Sequence, residues 1–127
     1  MAIKKLEHVG IHVKNLDDSI QFYTKVLGLE LIEKQGHIDP NIKLAFLGFR
    51  DSKETIIELI YGANPNLPTE GKVHHVAFTV DDIEAEIARI KDLHVTFIDE
   101  AITTLPSGSK YIFFHGPDGE FLELFQP

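Results

Sequence analysis

The sequence predicts an α+β fold of two tandem βαβββ modules, expected to join as one curved, cup-shaped, eight-stranded mixed sheet. Three observations predict it. An offset of 67 residues relates His8-Val-Gly-Ile-His-Val13 to His75-Val-Ala-Phe-Thr-Val80, and the same offset relates Glu33 to Glu100. A helical pattern follows the first segment of each copy. Each copy then closes on a carboxylate set in an apolar run, Ile56-Ile-Glu58-Leu-Ile60 and Phe121-Leu-Glu123-Leu-Phe125. Self-similarity at a fixed period marks a repeated unit that cannot bury its apolar face alone. The 127 residues therefore read as a single domain, 1–127, with a first module at about 4–62 and a second at about 72–127.

Residues 6–13 alternate apolar and β-branched side chains and end at Asn15, which predicts a strand. Asn15 or Asp17 caps a helix over 16–27, with Leu16, Ile20, Phe22, Tyr23, Val26 and Leu27 as its apolar stripe. Gly28 stops that helix, because glycine takes the left-handed conformation that a helix end needs. A strand follows at 29–35. Gly36 and Pro40 make 35–41 a loop. Strands are expected at 42–49 and 54–61, joined by a polar turn at Asp51 and Ser52. Residues 62–71, with two prolines and two asparagines, link the copies. The second copy predicts a strand at 73–80 and a helix at 82–93. Asp81 or Asp82 caps this helix, and its stripe is Ile83, Ile87 and Ile90. Strands follow near 95–99, 109–115 and 120–125, the last two joined by the turn Gly116-Pro-Asp-Gly119.

Hydrophobic residues at 43% and charged residues at 25% fit a soluble globular domain. The formal charge of −8 argues against nucleic acid or an anionic membrane as partner, since both need basic patches. The absence of cysteine excludes a disulfide framework and a thiolate zinc site. The start, Met1-Ala-Ile-Lys-Lys5, has no apolar signal-peptide core. No apolar run approaches the roughly 20 residues of a spanning helix. A cytoplasmic domain acting on a small-molecule substrate is the expectation.

Strand parity picks out the chemistry. His8, Gly10 and His12 share one face of the first strand, and Val9, Ile11 and Val13 share the other. The apolar set must pack under the helix, so the His8 face is the open one. His75, Ala77 and Thr79 repeat this face in the second copy, and Glu58 and Glu123 occupy matching places in the closing strands. A lone carboxylate in so apolar a run costs several kcal/mol unless it is paired or bound to a cation. Two imidazoles and two carboxylates, His8, Glu58, His75 and Glu123, around one divalent ion would resolve that cost together. Such nitrogen and oxygen ligands suit Zn, Ni or Co, and also Mn or Fe. Four protein ligands leave a position open for water or substrate, as a catalytic site requires. Among the other histidines, His12 lies too far along its strand to share that ion, and is a pocket candidate with His37 and His115. His74 has the wrong parity and reads as structural. His94 sits where it complements a helix dipole.

At these residues the chain resembles the vicinal-oxygen-chelate superfamily, which includes glyoxalase I, methylmalonyl-CoA epimerase and bleomycin-resistance proteins. The resemblance spans the chain and rests on an ordered set of segments. These are His8-Val-Gly-Ile, Phe22-Tyr23 with Leu27-Gly28-Leu29, Ile57-Glu58-Leu59, His75-Val-Ala-Phe-Thr-Val-Asp-Asp82, and Gly116-Pro-Asp-Gly with Leu122-Glu123-Leu124. It implies paired βαβββ modules, a divalent metal held by His8, Glu58, His75 and Glu123, and, as in many members, a homodimer. It also implies a lyase or isomerase of the glyoxalase I kind. A proton is removed beside a carbonyl and the enediolate oxygen is held by the metal, with Glu123 as base and Glu58 as its symmetric partner. Two positions depart from glyoxalase I. His12 and Gly62 stand where that enzyme commonly has an arginine and an asparagine. A methylmalonyl-CoA-type epimerase is the alternative within enzymes, and a non-catalytic small-molecule binder of the same fold is the alternative outside them.

Overall fold

The structure, a computed structural model, describes residues 6–63, 66, 71 and 73–127. The chain divides into two units, Met1–Leu67 and Pro68–Pro127. In the first unit Val9–Val13 forms β1, Leu16–Lys25 α1, Glu30–Gly36 β2, Lys43–Gly48 β3 and Ile57–Tyr61 β4. In the second, Val76–Thr79 forms β5, Ile83–Asp92 α2, Thr103–Thr104 β6, Lys110–His115 β7 and Phe121–Gln126 β8. Each unit builds one four-stranded mixed sheet, in the orders β1-β4-β3-β2 and β5-β8-β7-β6. The opening strand runs parallel to the closing strand in both, β1 with β4 and β5 with β8. No helix among the described residues is long and apolar enough to cross a membrane.

Local chemistry explains the helices. Of the two candidate caps in each copy, Asn15 and Asp82 do the work. Asn15 Oδ1 accepts from the Asp18 N–H at 2.9 Å, and Asp82 Oδ1 from the Ala85 N–H at 3.1 Å. Acidic residues fill both first turns and basic residues both last turns, which matches the helix dipole. The first helix leaves through Gly28 at φ 76°, as the sequence predicts, and the second through His94 at φ 63°.

Tyr23 and Val26 are buried with Ala45, Leu47, Ile57 and Leu59 in the first unit. Ile83 and Ile90 are buried in the second, as are Ile112, Phe114, Leu122 and Leu124. Full burial of one such aliphatic side chain contributes about 1.5–3 kcal/mol. The buried half of the alternation that predicts the strands is one face of each sheet, and the opposite face carries Glu58 and Glu123 among aromatic side chains such as Phe46 and Phe113.

Three expectations change. The first strands are shorter than 6–13 and 73–80, so His8 and His75 each stand one residue ahead of their strand. The strand expected near 95–99 is reduced to a single bridge, Phe97 with Phe114. There the Asp99 carboxylate accepts the Phe113 N–H at 3.0 Å, so a side chain replaces the backbone acceptor and the ladder stops. The fourth place in the second sheet goes instead to the two-residue strand β6, paired with Lys110 and Tyr111.

Candidate metal centre

Strand register fixes the surroundings of both glutamates. Glu58 on β4 is paired with Gly10 on β1 and with Phe46 on β3. Glu123 on β8 is paired with Ala77 on β5 and with Phe113 on β7. Gly10 and Ala77 are 67 residues apart, as are Phe46 and Phe113, whereas Glu58 and Glu123 are 65 apart. The hairpin between β7 and β8 is shorter, and the register absorbs the difference before the carboxylates meet their neighbours.

His8 is held at the mouth of β1, where the Val9 N–H donates to the Ile56 carbonyl at 2.9 Å. Its Nε2 lies 3.7 Å from Glu58 Oε1. In the second unit His75 Nε2 lies 3.5 Å from Glu123 Oε1. Charge-assisted N–H···O bonds run at about 2.7–2.9 Å, so neither contact is a well-made direct bond. Two ligands of one divalent ion, each at about 2.0–2.2 Å, stand roughly 3–3.5 Å apart. Both gaps come close to that spacing, and the donor set of imidazole nitrogen and carboxylate oxygen fits a divalent ion. The Glu123 side chain is only 10% exposed and Glu58 18%. Burial pushes the Glu123 pKa above its ordinary value, and the neighbouring His75 offsets this only in part.

Each unit thus brings together one His and one Glu, and among the described residues no cluster of three or more potential ligands forms. His12 is exposed on β1 opposite Ile60, on the face that carries Gly10. His37 is exposed in the loop after β2, and its Nδ1 accepts the Asp39 N–H at 3.0 Å. His115 ends β7 two residues beyond Phe113. Its Nδ1 lies 3.0 Å from the Gly119 carbonyl, bracing the hairpin turn. Sequence alone gives no role to Glu7 and gives His74 only a structural one. Glu7 Oε1 lies 3.3 Å from His8 Nδ1, and His74 Nδ1 lies 3.0 Å from His75 Nδ1. Glu7 and His74 are also 67 residues apart, which is the signal that could have found them.

With this fold and these paired side chains in view, comparison with known proteins gives the class. The chain belongs to the Glyoxalase/Bleomycin resistance protein/Dioxygenase superfamily, whose family model matches residues 5–124. It is 50% identical over 123 residues to the uncharacterized protein YwbC of Bacillus subtilis, covering 97% of this chain and 98% of that one. It is 34% identical to a probable lactoylglutathione lyase of Vibrio cholerae, covering 99% and 93%. It is 28% identical to a mitochondrial methylmalonyl-CoA epimerase of Dictyostelium discoideum, covering 98% and 79%. Among solved structures, the trypanothione-dependent glyoxalase I of Leishmania major matches with a TM-score of 0.80 at 28% identity, covering 98% of this chain and 87% of that one. The glyoxalase-like fold expected from the sequence is the fold of the chain.

Proposed function

We propose that the protein is a divalent-metal-dependent lyase or isomerase of the glyoxalase I kind, with His8, Glu58, His75 and Glu123 as ligands of its ion. The observation that carries this is the buried Glu123 facing His75, repeated by Glu58 facing His8. A catalytic site takes about three protein ligands, so neither pair suffices by itself. When bound, the ion supplies Lewis-acid polarisation of a substrate carbonyl. Glu123 takes the proton from the carbon beside that carbonyl. Burial by itself disfavours the charge of this carboxylate and so favours its taking up a proton. The same Glu123 carboxyl returns that proton to the neighbouring position, with Glu58, less buried, as its symmetric partner. Two carboxylates in unequal surroundings suit such unequal roles. The similarity to proteins named lactoylglutathione lyase supports a small 2-oxo thiol adduct as substrate. A homodimer in the cytoplasm goes with this reading.

The epimerase relative favours a second reading, in which the same proton is returned to the opposite face of an acyl-CoA. His12 and Gly62 also agree with it, because they stand where glyoxalase I commonly has its arginine and asparagine.

Metal analysis followed by solvent-deuterium exchange tests both. Purified protein loaded with Zn, Ni or Co is expected to hold a stoichiometric ion and to exchange deuterium into a hemithioacetal. Exchange confined to acyl-CoA thioesters would select the epimerase. Stoichiometric binding of none of these ions, or exchange into neither substrate class, would overturn the enzyme reading in favour of a non-catalytic binder.

A further inference from the structure

Each candidate ligand histidine has a contact at each ring nitrogen. Nε2 faces the carboxylate on the closing strand, at 3.7 Å for His8 and 3.5 Å for His75. Nδ1 meets the side chain of the residue immediately before it. That is Glu7 Oε1 at 3.3 Å for His8 and His74 Nδ1 at 3.0 Å for His75. The repeat has kept the contact and changed the residue that makes it.

The direction of these hydrogen bonds decides which nitrogen carries a lone pair. A neutral imidazole bears its proton on one nitrogen and accepts or ligates through the other. An ionised carboxylate only accepts, so the first contact has one direction. His8 Nδ1–H donates to Glu7, and the Nε2 lone pair is left on the Glu58 side. Taken alone, the contact between His74 and His75 allows either direction. The repeated geometry removes the choice. With the proton on Nδ1, His75 donates to His74 and its Nε2 lone pair is left on the Glu123 side, as in the first unit. The opposite direction would place a proton on His75 Nε2, where the nearest carboxylate oxygen is too distant for a short charge-assisted bond and no ion could bind.

We propose that Glu7 and His74 are positioning residues that hold His8 and His75 in the tautomer with the proton on Nδ1, so that both Nε2 atoms are kept as metal donors. This rests on the ligand assignment proposed above. Ligating histidines commonly donate their second ring N–H to such an acceptor, which fixes the ring and raises the basicity of the ligand. His74 is itself steadied by edge contacts with Phe121 at 5.0 Å and Phe113 at 6.2 Å between ring centroids. A phenylalanine at position 74 would keep those contacts and lose the acceptor.

Imidazole nitrogen spectra of the metal-free, 15N-labelled full chain, at a pH where the rings are neutral, read the tautomers directly. Both His8 and His75 are expected to carry the proton on Nδ1. His74→Phe is expected to release His75 into a mixture of tautomers without changing His8, and Glu7→Ala to do the converse. A wild-type His75 protonated on Nε2, or a His75 that His74→Phe leaves unchanged, would overturn the proposal. Calorimetric titration with Zn2+ gives the second readout. Each variant is expected to bind at least about 10-fold more weakly than wild type, and His74→Gln, which restores an acceptor, to recover part of the loss. Equal affinities across wild type, Glu7→Ala and His74→Phe would overturn the positioning role. If wild type bound neither Zn, Ni nor Co while the tautomers stood as described, the ligand assignment would fail and the hydrogen-bond assignment would survive it.

Discussion

Gly10 lies directly across from Glu58 on the neighbouring parallel strand, and a methyl group built on it would stand 3.2 Å from Ile60 Cδ1 and 3.6 Å from Glu58 Oε1. In the second unit the same place, opposite Glu123, is filled by Ala77. The fold therefore already accepts a methyl beside one of the two carboxylates. Gly10→Ala needs Ile60 Cδ1 to yield by only a few tenths of an ångström, while the unfolded chain loses freedom worth about 0.4–1 kcal/mol. Urea unfolding is expected to place the variant within about 1 kcal/mol of wild type. A loss above about 2 kcal/mol would show that Glu58 requires the open space that glycine leaves.

Ser19 occupies the sheet-facing side of α1 and is 1% exposed, and its hydroxyl has no hydrogen-bond partner among the described residues. An unsatisfied buried hydroxyl costs about 1–3 kcal/mol, and serine is also a poorer helix former than alanine. Ser19→Ala is expected to stabilise the protein by about 1 kcal/mol, read as a raised thermal midpoint. A lowered midpoint would show that the hydroxyl is satisfied in solution.

The internal repeat made most of this legible. Periodicity and capping chemistry predict the two helices and narrow each cap to two candidates, of which Asn15 and Asp82 act and keep the 67-residue offset. Parity and repetition agree on His8, Glu58, His75 and Glu123, and each His lies beside the Glu of its own unit. What failed to show were places where a side chain displaces the backbone pattern. Asp99 takes the Phe113 N–H and ends a strand that the pattern of Val95-Thr-Phe-Ile predicts. His94 enters the left-handed region that Gly28 fills in the first copy, a placement invisible to hydrophobic periodicity. Thr103 and Thr104 form too short a strand to leave an alternating pattern. Glu7 and His74 differ in type, so a search for repeated residues passes over a repeated contact.

Glu123 makes the stability of the metal-free protein depend on pH. Its pKa is raised above 4.5 by burial, so the folded state holds this proton more tightly than the unfolded chain does. Its favourable contribution is fully present below the unfolded value and is lost as pH rises through the folded value. Glu123→Gln removes that dependence. With metal chelated, the variant is expected to be more stable than wild type near neutral pH, by about 1 kcal/mol, and to lose this advantage in acid. Excess Zn2+ should reverse the order, because only wild type then gains the full binding energy. Parallel pH profiles of wild type and variant in chelator would show that the carboxylate is not held under strain.

Turnover separates the buried carboxylate from the exposed histidine on the first strand. Glu123 is the proposed base and ligand, whereas His12 is exposed on β1, four residues beyond His8. A strand advances about 3.3 Å per residue, so His12 stands roughly 13 Å from the position of His8. It can touch the far end of a substrate but not the reacting carbon. Loss of a general base commonly costs about 100- to 10,000-fold in rate. Glu123→Gln is expected to fall in that range in kcat, measured with the ion resupplied in excess, while His12→Ala raises KM and leaves kcat within about 10-fold. His75→Ala, in contrast, should lower the metal content of the purified protein itself. If Glu123→Gln and His12→Ala turned over at comparable rates, Glu123 would have no place in the proton transfer, and a metal content unchanged by His75→Ala would remove that residue from the ligand set.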